Sequence, residues 1–298
     1  MSRKNIFLIL LIVGTAFWGI SFSVTKLSIS NHEASLFLFY RFLGATLILS
    51  IVFFKKLKSL NWKNAVSGAI LAIPLMISIG LQTQGIKLTS ASQSAFLAGT
   101  TVVIVPVLKM VFFRKLPQMK IWIAAILSLI GLFIISVKND FSINAGDFLT
   151  IAGAFGFAYY LIKVEQQSAK TDIIATIVPM FATCALFTFV IVCVKAPATM
   201  LPLDNTFWIG VVFCSFFSTA YMYSISNIAQ KYISAERIAV IYLLEPVFGA
   251  LAAASLIGEE LSWRLLVGGL FIFIGMGISE LNLKTLLKPV NLRYKQAN

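Results

Sequence analysis

Charge is scarce in this chain, and acid scarcer still. Of 298 residues only 12% are Asp, Glu, Lys or Arg, against 59% hydrophobic, and the mean hydropathy is +0.93. Soluble domains carry about 25% charged residues, so a water-facing globular surface is excluded and the chain reads as a polytopic membrane protein. Acids number 11 against 24 Lys and Arg, a net charge of +13. Gathered into one patch, that excess would suit nucleic acid. It is instead split into short clusters between apolar runs, which is how spans are oriented in a bilayer, so no nucleic-acid partner is expected. Histidine occurs once, at His32, which argues against histidine-based catalysis and against a metal site. Cys184, Cys193 and Cys214 all lie inside apolar runs, where free thiols are expected rather than disulfides. There is no ATP-binding motif. Neither a cofactor nor an enzymatic activity is expected.

What is present is a series of apolar runs. About 20 helical residues cross a bilayer core, and runs near that length fall at about 6–27, 34–54, 65–86, 91–113, 119–137, 146–163, 173–194, 206–228, 236–257 and 264–281. The first follows Arg3 and Lys4 in the manner of a signal peptide. It is too long for a signal core and has no convincing cleavage site, so it is expected to stay as a first helix. With the N-terminus inside, 17 of the 24 cations lie on the cytoplasmic side. Five (Lys26, Lys87, Lys138, Lys195, Arg264) lie opposite, and Arg41 and Lys109 fall within helices. The bias predicts two cytoplasmic termini and an even number of spans.

The chain also repeats itself. Residues 88–135 and 232–279 share a Ser-Ala opening (Ser90-Ala91, Ser234-Ala235), an apolar helix with a mid-span proline (Pro106, Pro246), a charged turn, and a helix carrying Ile-Gly at Gly131 and Gly275. Five spans per half is an odd number, so the second copy enters the membrane upside down. The expected fold is all-α integral membrane, ten transmembrane helices in two inverted five-helix repeats. Residues 1–143 form the first repeat, 144–285 the second, and 286–298 a basic cytoplasmic tail. Inverted repeats with a site near the bilayer midplane are a transporter architecture.

Several motifs in order give the chain a family likeness. They are Phe17-Trp18-Gly19 with Phe22, Tyr40-Arg41-Phe42, Thr89-Ser90-Ala91-Ser92 through Phe96-Leu97, Leu244-Glu245-Pro246-Val247, Gly258-Glu259-Glu260-Leu261, and Gly268 to Gly275. With these the sequence resembles the drug/metabolite transporter superfamily, in its ten-helix branch of two EamA repeats, over nearly its whole length. One departure is that Phe113-Arg114-Lys115 stands where the second half has Gly258-Glu259-Glu260. The resemblance implies a secondary transporter of a metabolite and leaves the cargo open.

Glu245 is the residue of most interest. It falls near the middle of a span, where a carboxylate costs roughly 2.5–3.5 kcal/mol on the lenient insertion scale. It is either a proton-coupling or amine-binding carboxylate or a structural acid bonded to a neighbouring helix. Its first-half counterpart, around Val105-Pro106, keeps the proline and lacks the acid. Pro106 and Pro246 are candidate hinges, since a mid-span proline kinks its helix; a static bend is the other reading. Arg41 suits a substrate carboxylate, or it snorkels or bonds a carbonyl. Lys109, near the inner end of its span, is expected to snorkel, and Lys163 and Glu165 to lie at the inner interface. Trp18, Phe22, Gln82, Phe96, Thr100, Tyr159, Tyr221, Tyr242 and Glu245 are the candidate substrate-binding set, an aromatic lining with a few hydrogen-bonding groups. Helix packing alone would account for any single aromatic among them. The glycines Gly268, Gly269, Gly275 and Gly277 point to close helix contacts, as a monomer or homodimer.

Together these readings predict an inner-membrane secondary transporter, an exporter by family habit. Its cargo is a small polar metabolite, an amino acid or a related compound. Alternating access would drive it, with protons as a possible coupling ion. The alternatives are a translocator of lipid or hydrophobic drug-like compounds, or an uptake permease of the same fold.

Overall fold

The computed structural model describes residues 3–114, 116–136, 144–195, 199–258, 260 and 263–280, and among them every regular element is helical. The basic tail 286–298, Lys115, Lys138 and Glu259 lie outside the described residues. We number the helices α1 (Arg3–Ser28), α2 (Ala34–Val52), α3 (Trp62–Leu88), α4 (Ala91–Gly99 and Thr101–Phe113) and α5 (Met119–Ser136). There follow α6 (Ala145–Ser168), α7 (Ile173–Lys195), α8 (Asn205–Ala229), α9 (Ala235–Ile241 and Leu244–Ile257) and α10 (Trp263–Glu280). Eight of them, all but α5 and α10, are long and apolar enough to cross a bilayer. Those two carry shorter apolar stretches, Met119–Ile134 and Leu266–Ser279. The protein is a multi-pass membrane protein.

Short polar side chains set where helices begin. Asn61 accepts from the Asn64 N–H, Ser90 from Gln93, and Asp204 from Thr206, each supplying an acceptor to an otherwise orphaned donor. Asn144 and Asp147 cap α6 reciprocally. Gly258, at φ 76°, ends α9 in the left-handed region that glycine enters without a steric penalty. The outward faces are apolar: Ile51, Val194 and Leu266 are each at least 78% exposed. On a surface in water such faces would aggregate; against lipid they are the matched solvent.

Three helices are irregular, all of them near the centre of the bundle. In α4 the Thr100 carbonyl takes both Val103 and Ile104 N–H groups, at 3.0 and 3.2 Å. In α9 Leu243 N–H turns to Val240 O at 3.2 Å, one residue short of the α-helical acceptor, and Glu245 N–H to Tyr242 O at 2.8 Å. The α9 break falls where the Pro246 ring would meet the carbonyl of the preceding turn. The α4 break lies six residues before Pro106, so the two prolines do not stand in register with the breaks. In α8, Cys214–Tyr221 is a π-helix of 8 residues. Sequence patterning points to bends at Pro106 and Pro246, whereas the α4 irregularity falls at Thr100, and it carries no sign of the π-helical segment.

Packing follows a regular scheme. α1 lies against α8 and α9, α6 against α3 and α4, α2 against α7, and α5 against α10. Small residues allow the close approaches. A side chain at Gly131 would collide with Gly268 O, and one at Gly275 would come within 2.8 Å of Ala124 O, so α5 and α10 hold each other through equivalent positions. All three cysteines are unbridged.

Candidate functional site

Between the irregular helices lies a narrow cavity of about 40 Å³. α1 contributes Trp18, Ser21, Phe22 and Thr25. α3 adds Ser78, Gln82 and Thr83, and α6 adds Phe157. Tyr223, Tyr242 and Glu245 come from α8 and α9, and Arg41 from α2. The four edges of α1, α3, α6 and α9 are drawn from both halves of the chain.

Aromatic rings make one wall. Trp18 meets Phe157, Tyr223 and Tyr242 edge-on, with centroids 5.5, 5.1 and 4.9 Å away. Beyond them Tyr160 packs on Phe157 and Tyr223, and Phe181 on Tyr223. Three of these rings have their polar ends satisfied. Trp18 Nε1 donates to Ser218 O at 2.6 Å, Tyr242 donates to Ser226 Oγ, and Tyr160 to Asn227 Oδ1 at 2.7 Å. An interlocked wall of this kind is preorganised.

Two charges face the cavity and do not pair with each other. Arg41 is 7% exposed; its Nε donates to Thr219 Oγ1 at 2.7 Å and its Nη2 to Ser218 Oγ at 3.2 Å. Both hydroxyls come from the π-helical segment, whose widened turn also releases Ser218 O to Trp18. Ser215 Oγ returns a bond to Arg41 O at 3.0 Å. Glu245 is 9% exposed and lines the same space, and among the described residues its carboxylate takes no hydrogen bond and joins no ion pair.

Below the cavity the bundle is tied by charge. Lys109 Nζ reaches Glu236 at 2.7 Å and also bonds Glu165, joining α4, α6 and α9. Lys109 is 5% exposed. The expected snorkelling of Lys109 is therefore incorrect: two carboxylates within reach hold it inside the bundle rather than at its surface. This end carries most of the cations. At the other end Lys26 donates to Thr89 O, and Thr89 donates to Asp147 at 2.9 Å, linking α1, the α3–α4 turn and α6. A wider, more open pocket of about 910 Å³ beyond is lined by His32, Glu33, Lys87 and Lys195. There Asp204 sits below the ordinary carboxylate range, held first by the Thr206 N–H and then by His32.

Of the nine expected binding residues, five line the cavity: Trp18, Phe22, Gln82, Tyr242 and Glu245. Four do not. Phe96 packs into the apolar cluster of α4, α5, α9 and α10. Thr100 bonds its own Leu97 O at 2.6 Å. Tyr159 is 40% exposed beneath the Lys163 ammonium, and Tyr221 donates to Leu10 O at 3.1 Å on the far face of α8. Helical spacing groups residues by face, and Tyr159 and Tyr221 lie on faces turned away. Phe157, Thr83 and Ser78 join the lining without having been singled out, since single small or apolar residues in a span carry no signal. Among the described residues no three His, Cys, Asp or Glu side chains gather as metal ligands.

The model of the EamA-like transporter family matches the chain twice, over residues 5–137 and 144–280. The chain belongs to the EamA-like transporter family. It is a family of transporters and not of enzymes. Relatives of this EamA protein include an uncharacterized transporter of Archaeoglobus fulgidus, 24% identical over 89% of this chain and 82% of that protein. The "Probable amino-acid metabolite efflux pump" of Salmonella typhimurium is 26% identical over 94% of this chain and 95% of that one. The uncharacterized transporter YyaM of Bacillus subtilis is 23% identical, covering 93% of each. A solved crystal structure shares the fold with a TM-score of 0.76 at 14% identity, spanning 96% of this chain and all of that one.

Proposed function

We propose that this EamA protein is a secondary transporter exporting a small polar metabolite, an amino acid or a close relative, across a bacterial inner membrane by alternating access. The observation that carries this reading is the cavity itself. It is walled by aromatics, holds two charges that among the described residues join no ion pair, and is lined by helices from both family-model matches. A hydrophobic or lipid cargo would leave both charges desolvated and unanswered, which disfavours that alternative.

The mechanism rests on ten crossings in two inverted halves, 1–143 and 144–285. The packing scheme supports it. Exchanging each helix with the one five places on converts the α1–α8 contact into α6–α3 and the α1–α9 contact into α6–α4, and returns α2–α7 and α5–α10 to themselves. The reciprocal glycines Gly131 and Gly275 obey the same exchange. The end rich in Lys and Arg is cytoplasmic by the positive-inside rule. Rocking of the halves about the breaks in α4 and α9, the helices that carry Pro106 and Pro246, would open each side in turn, and the Lys109 triad would serve to close the cytoplasmic side. Glu245, buried and without a partner among the described residues, is the candidate for proton coupling. The amino-acid cargo draws on the Salmonella relative's name and on the lining.

Flux into proteoliposomes with a panel of amino acids, with and without a pH gradient, tests this. The expected result is saturable flux of at least one member that responds to the gradient and loses that response in Glu245→Gln. Unchanged pH dependence in the variant removes Glu245 from coupling.

A further inference from the structure

Both charges of the cavity are built and neither is spent. The guanidinium of Arg41 commits Nε and one Nη2 hydrogen to the Thr219 and Ser218 hydroxyls. That leaves the edge formed by Nη1 and the second Nη2 hydrogen, the fork that accepts a carboxylate through two parallel bonds. The two hydroxyls come from consecutive positions of the π-helical turn, and Ser215 braces the Arg41 backbone from the same segment. The side chain is thus held by two hydroxyls and its backbone by a third from the same segment, which together fix its direction. Glu245 stands on the broken helix α9, where its own N–H is taken by Tyr242 O at 2.8 Å and its carboxylate is left to the cavity.

The two are kept apart rather than joined. Tyr223 lies within electrostatic reach of both, and its ring stands at the aromatic wall against Trp18 at 5.1 Å. A fold that needed only internal neutrality would let a buried acid and a buried base meet, because separated charges in a desolvated space are more costly than a pair. Held apart across a cavity, they are complementary to a ligand that brings both signs.

Resting on the transport reading above, we propose that the cavity recognises a zwitterion at two separate points. The carboxylate of a free α-amino acid docks on the open Nη edge of Arg41. Its ammonium docks on Glu245, and its side chain lies along the Trp18–Phe157–Tyr242 wall. Selectivity then lies in the charge pair, and compounds lacking either charge leave one buried group unanswered. Thr83 and Gln82 supply neutral hydrogen-bonding groups on the facing wall.

The test uses the purified chain in proteoliposomes. Counterflow is measured with a labelled mixture of the standard amino acids. Competition follows with the most active member, its methyl ester, which lacks the carboxylate, and its des-amino acid, which lacks the ammonium. The expected result on wild type is that ester and des-amino acid compete at least tenfold more weakly than the parent. Glu245→Gln should then lose the preference for the parent over the des-amino acid while keeping that over the ester, and Arg41→Lys should do the reverse. Equal competition by all three on wild type overturns the two-point assignment and leaves the transport reading standing. So does flux confined to amines or to carboxylic acids in a second labelled panel. No flux of any compound in either panel overturns the transport reading, and this assignment with it. The analogue series on wild type decides the matter even where Arg41→Lys fails to fold.

Discussion

Lys109 Nζ lies 2.7 Å from Glu236 Oε2, in a site where the lysine side chain is 6% exposed and the glutamate 11%. With Glu165 as a second partner, one cation joins three helices from the two family-model matches at the end of the bundle richest in Lys and Arg. Removing one member of a buried pair costs about 3–5 kcal/mol, because the remaining charge is stranded. Lys109→Met should therefore lower stability by about 3 kcal/mol, read from thermal unfolding in detergent. Glu165→Gln should cost less, since Glu165 is 27% exposed and Glu236 still answers the lysine. A Lys109→Met protein that melts with wild type would show the triad to be energetically idle.

Trp18 joins the aromatic wall to the π-helical segment through its 2.6 Å bond to Ser218 O. Trp18→Phe keeps a ring and removes the donor. The orphaned carbonyl should cost about 1–3 kcal/mol. Because Ser218 also orients Arg41, ligand competition should weaken more than the melting temperature predicts. Parallel binding and unfolding measurements separate the two effects.

Glycine substitutions should divide sharply by position. A Cβ on Gly19 would lie 2.7 Å from Glu245 O and from Gly249 N, so Gly19→Ala must push α1 away from the break in α9. Overpacking of this kind costs about 1–3 kcal/mol. Gly80 has nothing within 4 Å of that point, and Gly80→Ala should be neutral or slightly stabilising through its better helix propensity. Flux and melting temperature of the two variants, measured side by side, test the contrast.

Acid should weaken one tie, between the short helix Phe54–Lys58 and the residue that precedes α7. Lys56 donates to Asp172 at 2.6 Å, and this bond chiefly holds the Asp172 carboxyl below its ordinary range. A depressed carboxyl contributes fully above its unfolded value, about 3.9, and loses that contribution as pH falls through the lower folded value. Both side chains are at least a third exposed, so the contribution is under about 1 kcal/mol and screened by salt. Lys56→Ala should flatten the acid limb of a stability-against-pH curve at low salt and change little at 1 M salt.

Much of the architecture could be read from composition. Twenty-residue apolar runs, their flanking cations and the Ser-Ala and proline repeats mark spans because the bilayer admits few backbone solutions. The helix limits agree closely: 91–113 was expected for α4, and the helix observed runs from Ala91 to Phe113. The site was only partly legible. Glu245, Trp18 and Tyr242 stood out as polar or amphipathic groups at depth. Tyr159 and Tyr221 looked the same in sequence but face elsewhere, since a span apolar all round gives no sign of which face is inside.

Glu245 and Pro246 show where the division falls. That an acid sits at mid-span beside a helix breaker follows from the order of residues alone, because lipid makes the position expensive wherever the helix turns. That the carboxylate has no partner among the described residues, and lines the same space as an arginine it does not pair with, was decided by the meeting of α1, α2, α8 and α9. The π-helical turn that aims Arg41 belongs to the same class. It arises from packing of Cys214–Tyr221 against α1 and α2, through contacts between residues some 175 to 200 positions apart, a distance over which no local pattern reaches.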